Sequence, residues 1–185
     1  MTDTLRMIGF SGSLRAGSYN TAALRAAQEL APAGVEIAIH DISAFPPFNQ
    51  DQDADPPQMV TDLKAAIRAA DAVIFSSPEY NYSVPGHLKN VIDWASRPYG
   101  DSAWDGKPAL IMGASPGAIA TARMQYHLRQ TMVFLNMHPL NKPEIMIGNC
   151  AGKFDEAGKL TDEKTREFIK QALEALVHWT RRLNS

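Results

Sequence analysis

Residues 5–22 read LRMIGFSGSLRAGSYNTA, and the way they divide decides the fold. The first six, LRMIGF, form a short apolar run broken only by Arg6, the pattern of a strand covered on both faces. Apolar character then stops. SGSLRAGSYNTA brings serines, glycines, Asn20, Thr21 and one cation, Arg15, but no acid. From Tyr19 the spacing predicts a helix that runs to about residue 30 and ends before Pro32 and Gly34. A buried strand that turns through a donor-rich loop into a helix is the opening unit of an alternating α/β chain.

The same alternation recurs along the 185 residues. Short apolar runs return at 35–40, 72–75, 109–113 and 144–147, with helical spacing at 58–69, 86–95 and 120–136. Met59, Leu63, Ala66, Ile67 and Ala70 share one stripe of the second helix. A last helix is predicted from Thr161, read as its cap, through to Leu183. Five such alternations predict one flavodoxin-like domain over 1–185. It is an α/β three-layer sandwich whose five-stranded parallel sheet has order 2-1-3-4-5 and helices on both faces. Two segments fall outside this pattern. DISAFPPFNQDQDADPP at 41–57 is too rich in proline for a helix, and reads either as a functional or mobile loop or as a plain surface excursion. The stretch 149–159 carries no identifiable chemistry.

Composition narrows the function classes. Hydrophobic residues make up 45% and charged residues 21%, the balance of a globular chain with a sizeable core. Lysine and arginine number 18 against 20 aspartates and glutamates, so the net charge of −2 offers no footprint for nucleic acid. No apolar run nears the ~18 residues of a membrane span. MTDTLRMIGF lacks the apolar segment and cleavage site of a signal peptide. Cys150 is the only cysteine, which excludes a disulfide framework and a thiolate metal cluster. These features predict a cytoplasmic protein without a metal site, a membrane contact or a nucleic-acid partner.

In an open parallel sheet, ligands bind beyond the carboxyl ends of the strands, near the switch in strand order. The turn after the first strand lies there, at a helix start whose unpaired amides favour anions. Ser11, Ser13, Ser18 and Thr21 offer hydroxyls, Asn20 an amide and Arg15 a charged fork. Ser18 or Asn20 could simply cap the helix, but capping needs one residue rather than this density of donors. The turn is neither G-x-G-x-x-G nor a P-loop, which favours a mononucleotide phosphate over a pyrophosphate or triphosphate.

Two more loops converge on the same edge. After the third strand comes PEYNYSVPGHLKNVIDW at 78–94, where Tyr80 and Tyr82 offer flat surfaces and 78–81 expose main-chain groups to a planar heterocycle. As isolated aromatics the tyrosines would read as boundary packing. After the fourth strand, ASPGAIATAR at 114–123 is again small and hydroxyl-bearing, with Ser115 and Gly117 placed for the far side of the ring. A phosphate, a ring edge and the ring's opposite end are together satisfied by flavin mononucleotide.

GSLRAGSYN at 12–20 and PEYNYSVPGHLKNVIDW at 78–94 closely resemble the two signatures of the NADPH-dependent FMN reductase family, which includes soluble bacterial quinone and chromate reductases. ARMQYHLRQ at 122–130 and NKPE at 141–144 are similar to the chromate/quinone reductase branch. The resemblance runs from about residue 5 to 148. It implies a non-covalent FMN whose phosphate is held by Ser13, Arg15, Ser18, Asn20 and Thr21. The isoalloxazine would be cradled by Pro78, Glu79, Tyr80, Asn81 and Tyr82, with Ser115 and Gly117 as the third contact. It further implies NAD(P)H as co-substrate and a homodimer or homotetramer to which the 120–136 helix contributes. Relatives often have a Gly-Gly pair before the arginine matching Arg123. This chain has Ala120-Thr121-Ala122 instead, which would narrow the nicotinamide and acceptor pocket.

The chemistry implied is hydride transfer from NAD(P)H through FMN to a small acceptor such as a quinone, chromate, an azo compound or free flavin. That step needs no general acid or base, so no catalytic side chain is assigned, and His87, His127 and His138 are read as structural. The alternative is a flavodoxin-like electron carrier without its own NAD(P)H oxidation, for which −2 is a weak acidic surface. A third reading, an interaction protein that has lost FMN, fits poorly with the intact donor-rich turn.

Overall fold

The structure is a computed structural model describing residues 4–184. Residues 1–3 and 185, which hold the start of the MTDTLRMIGF segment and the last position of the expected domain, lie outside the described residues. Strands β1 (Leu5–Ser11), β2 (Val35–His40), β3 (Ala72–Ser76) and β4 (Pro108–Ala114) pair in parallel in the order β2-β1-β3-β4. The next position is shared by two short strands. β5 (His138–Pro139) pairs with Pro108 and Ala109, and β6 (Ile145–Ile147) with Met112 to Ala114. The sheet thus has the expected 2-1-3-4-5 order, but its fifth position is split. Leu140 still donates its amide to the Ala109 carbonyl at 2.7 Å, but Pro143 carries no amide hydrogen, and pairing with β4 resumes only at Ile145.

Alternation within the central strands puts a core on each face. Val73, Phe75, Ala109 and Ile111 point to one side, against α2 (Gln58–Ala69), α3 (Gly86–Ala95) and α4 (Ala122–Phe134). Ala72, Ile74, Leu110 and Met112 point to the other, against α1 (Tyr19–Glu29) and α5 (Glu163–Leu183). Four alanines on the buried side of α1 (Ala22, Ala23, Ala26 and Ala27) let that helix lie close to the sheet. Such tight packing matters because α1 begins at the donor-rich turn. Helix α5 begins one residue later than its sequence suggests. Its cap is Asp162, whose carboxylate accepts from the Thr165 amide at 2.9 Å, while the Thr161 hydroxyl donates to the Lys153 carbonyl. Aspartate is the better acceptor for a helix amide, and it wins the cap.

The proline-rich segment 41–57 is strapped to one face of α3. His87 Nε2 meets the Ile42 carbonyl, Asn90 takes the Phe48 amide and donates to the Pro46 carbonyl, and Trp94 Nε1 donates to that same carbonyl. Beyond the helix, Arg97 pairs with Asp53 at 2.8 Å. Positions 87, 90, 94 and 97 follow helical spacing, so one stripe of PGHLKNVIDWASR anchors the loop. His87 is thus one of the struts that hold this loop. The exposed His127 ring meets the Ser83 hydroxyl at 3.1 Å, and the His138 backbone carbonyl accepts from Trp179 Nε1.

Candidate functional site

The ends of β1, β3 and β4 come together where side chains are smallest. Gly12 donates its amide to the Ser76 carbonyl and Ser77 donates to that of Met112, which carries the ladder past the strands. A Cβ on Gly12 would lie 2.2 Å from Ser77 Oγ. One on Gly113 would lie 2.4 Å from the Ser77 carbonyl oxygen and 2.2 Å from Thr121 Oγ1. Only glycine allows this approach, and it draws three loops onto one floor at the switch in strand order.

The first loop is built to present donors. Ser18 is the N-cap of α1, and its oxygen accepts from the amides of Asn20 and Thr21 at 3.2 Å each, so its own proton points away from the helix. Ser11 Oγ and Thr21 Oγ1 lie 2.8 Å apart, and the Ser13 amide reaches Ser11. Among the described residues, the amides of Leu14, Arg15, Ala16 and Gly17 donate to no protein group. The Arg15 side chain is exposed and lies beside the Tyr19 ring, 5.4 Å from its centroid. A cavity of about 310 Å³ opens beside the turn, lined by Ser11, Ser13, Arg15, Thr21, Arg25 and His40 among others. Burial holds the His40 imidazole below its usual pKa, despite the opposing charges of Asp41 and Asp62. Asn20 is placed differently. Its side chain is buried and clasps Ala114, donating to the carbonyl at 3.0 Å and accepting from the amide at 2.8 Å, so it ties α1 to the end of β4.

In the second loop, Tyr80 and Ser83 exchange backbone hydrogen bonds around Asn81 and Tyr82, at φ of 50° and 68°. Two positive φ values make the tightest reversal, a conformation easy for asparagine but strained for tyrosine. Over the exposed ring of Tyr82 lies the guanidinium of Arg123, 3.6 Å from the centroid. Arg123 in turn pairs with Glu79. The Glu79 side chain is 6% exposed, and its Oε2 accepts from the amides of Arg123 and Met124 at 3.0 and 3.1 Å. Thr121, at the N-cap of α4, makes no side-chain cap. Glu79 therefore caps α4 from a different loop. Burial pushes the Glu79 carboxyl up, but Arg123 and the two helix amides together outweigh it and hold the group below the usual carboxylate range. The amides of Glu79, Asn81 and Tyr82 are unpaired among the described residues, as are the carbonyls of Glu79 and Asn81.

The third loop is held mostly by its own backbone. Ser115 Oγ accepts from the Gly117 amide at 3.2 Å, and the Gly117 carbonyl accepts from Ala120 and Asn149. The amides of Ala118 and Ile119 have no protein partner among the described residues. Ala120 sits at φ 55°, a left-handed conformation, where the resemblance had pointed to a glycine pair. Cys150 lies beneath this loop, fully buried, and donates its amide to the Ser115 carbonyl. Burial also raises its thiol pKa, with small opposing contributions that include Arg15.

Ser13, Arg15 and Thr21 line one cavity and Ser18 lines the neighbouring one, while Pro78 to Tyr82 and Ser115 to Gly117 lie at the same sheet edge. Asn20 and the Glu79 carboxylate are instead engaged in holding these loops together. Arg25, on the wall of the same cavity as Arg15, and Arg123, paired with Glu79 over Tyr82, join the site without a role read for them in the sequence. Backbone donors leave no sequence signature, but the i, i+4 spacing of Thr21 and Arg25 was readable. Among the described residues no cluster of three or more His, Cys, Asp or Glu side chains is arranged for a metal.

A donor-only turn with four unpaired amides suits a phosphate, and unpaired amides and carbonyls on the neighbouring loops suit the edge of a flavin. Comparison with known proteins agrees. The family model for NADPH-dependent FMN reductase matches residues 5–152. The chain is 55% identical over 184 residues to a NAD(P)H-dependent FMN reductase of Pseudomonas aeruginosa, covering 99% of each. It is 45% identical over 171 residues to a quinone reductase of Pseudomonas putida, covering 92% of this chain and 91% of that one. A solved structure of the flavoenzyme NAD(P)H:(acceptor) oxidoreductase FerB from Paracoccus denitrificans superposes with a TM-score of 0.89 at 38% identity, covering 96% of this chain and 98% of that chain.

Proposed function

The chain belongs to the NADPH-dependent FMN reductase family, and from that premise we propose which of its residues hold FMN and what it reduces. The protein is an FMN-dependent NAD(P)H oxidoreductase. Ser13, Arg15, Ser18, Thr21 and the amides of Leu14 to Gly17 would hold the FMN phosphate on the turn at 11–21. Pro78 to Tyr82 would hold the ring, with Ser115 and the amides next to Gly117 as the third contact. Asn20 and Glu79 serve this non-covalent site by fixing the loops. The observation that carries the reading is the run of unpaired amides around Arg15 in a turn without a carboxylate.

Bound FMN supplies the two-electron chemistry, taking a hydride from NAD(P)H and handing two electrons to an acceptor. The chain's own residues bind and orient. Unpaired amides at the ring edge stabilise negative charge there without reorganising. The Arg123–Tyr82 pair and Ala120 bound the space in which nicotinamide and acceptor alternate. The small-molecule acceptor is a quinone, supported by the reductases that the chain resembles. Chromate, azo compounds and free flavin are further candidates.

A homodimer or homotetramer fits the surface of α4. Tyr126, Val133 and Phe134 lie on one stripe of that helix with Ile119 just before it, and Val133 and Phe134 are 80% and 76% exposed. This stripe begins beside the flavin loops. The whole chain acts as one domain, supported by its single continuous sheet. We place it in the cytoplasm, where NAD(P)H is available. No helix among the described residues is long and apolar enough to cross a membrane.

The phosphate assignment is tested by titrating apoprotein with FMN. Arg15→Ala removes a charged hydrogen bond typically worth about 1.5–3 kcal/mol, so FMN affinity should fall roughly ten- to hundredfold. Unchanged affinity would remove Arg15 from the site.

A further inference from the structure

Arg15 lines the cavity beside the phosphate turn together with a second guanidinium. Arg25 lies on the same wall, one helical turn beyond Thr21. Residues i and i+4 share a helix face, and helical side chains lean toward the N-terminus. The spacing therefore puts Arg25 on the face of Thr21, at the wall of the cavity that Arg15 also lines. Among the described residues it has no ion pair or hydrogen bond. Its surroundings do not neutralise it either. The Asp41 carboxylate in the same cavity is engaged by the amide and hydroxyl of Ser43, at 2.9 and 3.0 Å. Asp155 and Glu156 line the cavity on the other side of Arg25, along with Gly17 and Ser18, but neither pairs with it.

Charge matching gives this placement a meaning. A phosphate monoester carries between −1.5 and −2 charges near neutral pH. Arg15 alone leaves roughly half of that uncompensated, in a region that also contains Asp41, Asp155 and Glu156. We propose that Arg25 is a second guanidinium for the FMN phosphate, reaching it across Thr21 from the α1 side while Arg15 reaches it from the turn. The proposal rests on the phosphate assignment made above.

Riboflavin, which lacks the phosphate, separates this role from a merely structural one. Apoprotein carrying Arg25→Gln, Arg25→Lys or Arg15→Gln, and the unaltered apoprotein, would each be titrated with FMN and with riboflavin, following flavin fluorescence. The expected result is that Arg25→Gln raises the Kd for FMN about tenfold, leaves the Kd for riboflavin unchanged and flattens the salt dependence of FMN binding, while Arg25→Lys recovers part of the loss. FMN affinity unaltered by Arg25→Gln, alongside a clear loss for Arg15→Gln, would overturn the proposal alone. Equal weakening of FMN and riboflavin would also overturn it, by assigning Arg25 to the fold. An unaltered protein that does not prefer FMN to riboflavin would overturn both this proposal and the phosphate assignment.

Discussion

Replacing Glu79 is the most revealing perturbation outside the direct flavin contacts. Its carboxylate caps α4 through two amides at 3.0 and 3.1 Å and holds Arg123 above Tyr82. Loss of a helix cap costs about 0.5–2 kcal/mol. The ion pair adds less than a fully buried one would, because the Arg123 side chain is 36% exposed, so about 1 kcal/mol is a reasonable upper value. Glu79→Ala should therefore destabilise the protein by roughly 0.5–3 kcal/mol, or roughly 1–12 °C in Tm for a chain of this size. Glu79→Gln keeps the shape and loses the charge, and should cost roughly half as much. The sign with pH follows from the depressed pKa. Glu79 is ionised more readily in the fold than at its ordinary value of 4.5, so its contribution is fully present above that value and is lost as the pH falls through the lower folded-state pKa. Chemical denaturation of the Gln variant and its parent should show a constant gap from neutral pH to about 5 and convergence below it. A Glu79→Ala protein that melts with its parent, or a gap that widens in acid, would refute the interloop cap.

Three further outcomes follow from the same geometry. Gly113→Ala should cost about 3 kcal/mol or more by denaturant titration, since its Cβ would meet a backbone oxygen that cannot give way; a neutral result would contradict the close strand-end packing. Ala120→Gly should stabilise by about 0.5–1 kcal/mol, because relief of the left-handed strain slightly outweighs the added freedom of the unfolded glycine; a melting point below the parent's would count against that strain. Cys150 should resist a thiol reagent in the native protein and react as one thiol per chain in denaturant, as its burial and raised pKa require.

The layers of this fold were largely legible because burial on both faces leaves continuous apolar runs, as in Ala72–Ser76, and because helices carry a stripe. The split at the sheet's fifth position was not. A two-residue strand at His138 is too short to show periodicity, and only the prolines at 139 and 143 hinted at the break. At the site, residue types drew attention to three loops that the fold brings to one sheet edge, since side-chain donors are visible in a sequence while free backbone amides are not. Individual roles were less legible. Asn20 and Glu79 look like ligand donors in the sequence, yet each finds a backbone partner far along the chain, at Ala114 and at Arg123 and Met124. The stripe of His87, Asn90, Trp94 and Arg97 sits within the signature beginning at Pro78, and it serves to hold the 41–57 loop.

The flavin held by these loops should take electrons from a nicotinamide. Anaerobic stopped-flow mixing of the FMN-loaded protein with NADPH, and separately with NADH, should bleach the yellow flavin absorbance, and a quinone added afterwards should restore it over repeated cycles. An FMN-loaded protein that dithionite bleaches but neither nicotinamide does would contradict the account and leave an electron carrier in its place.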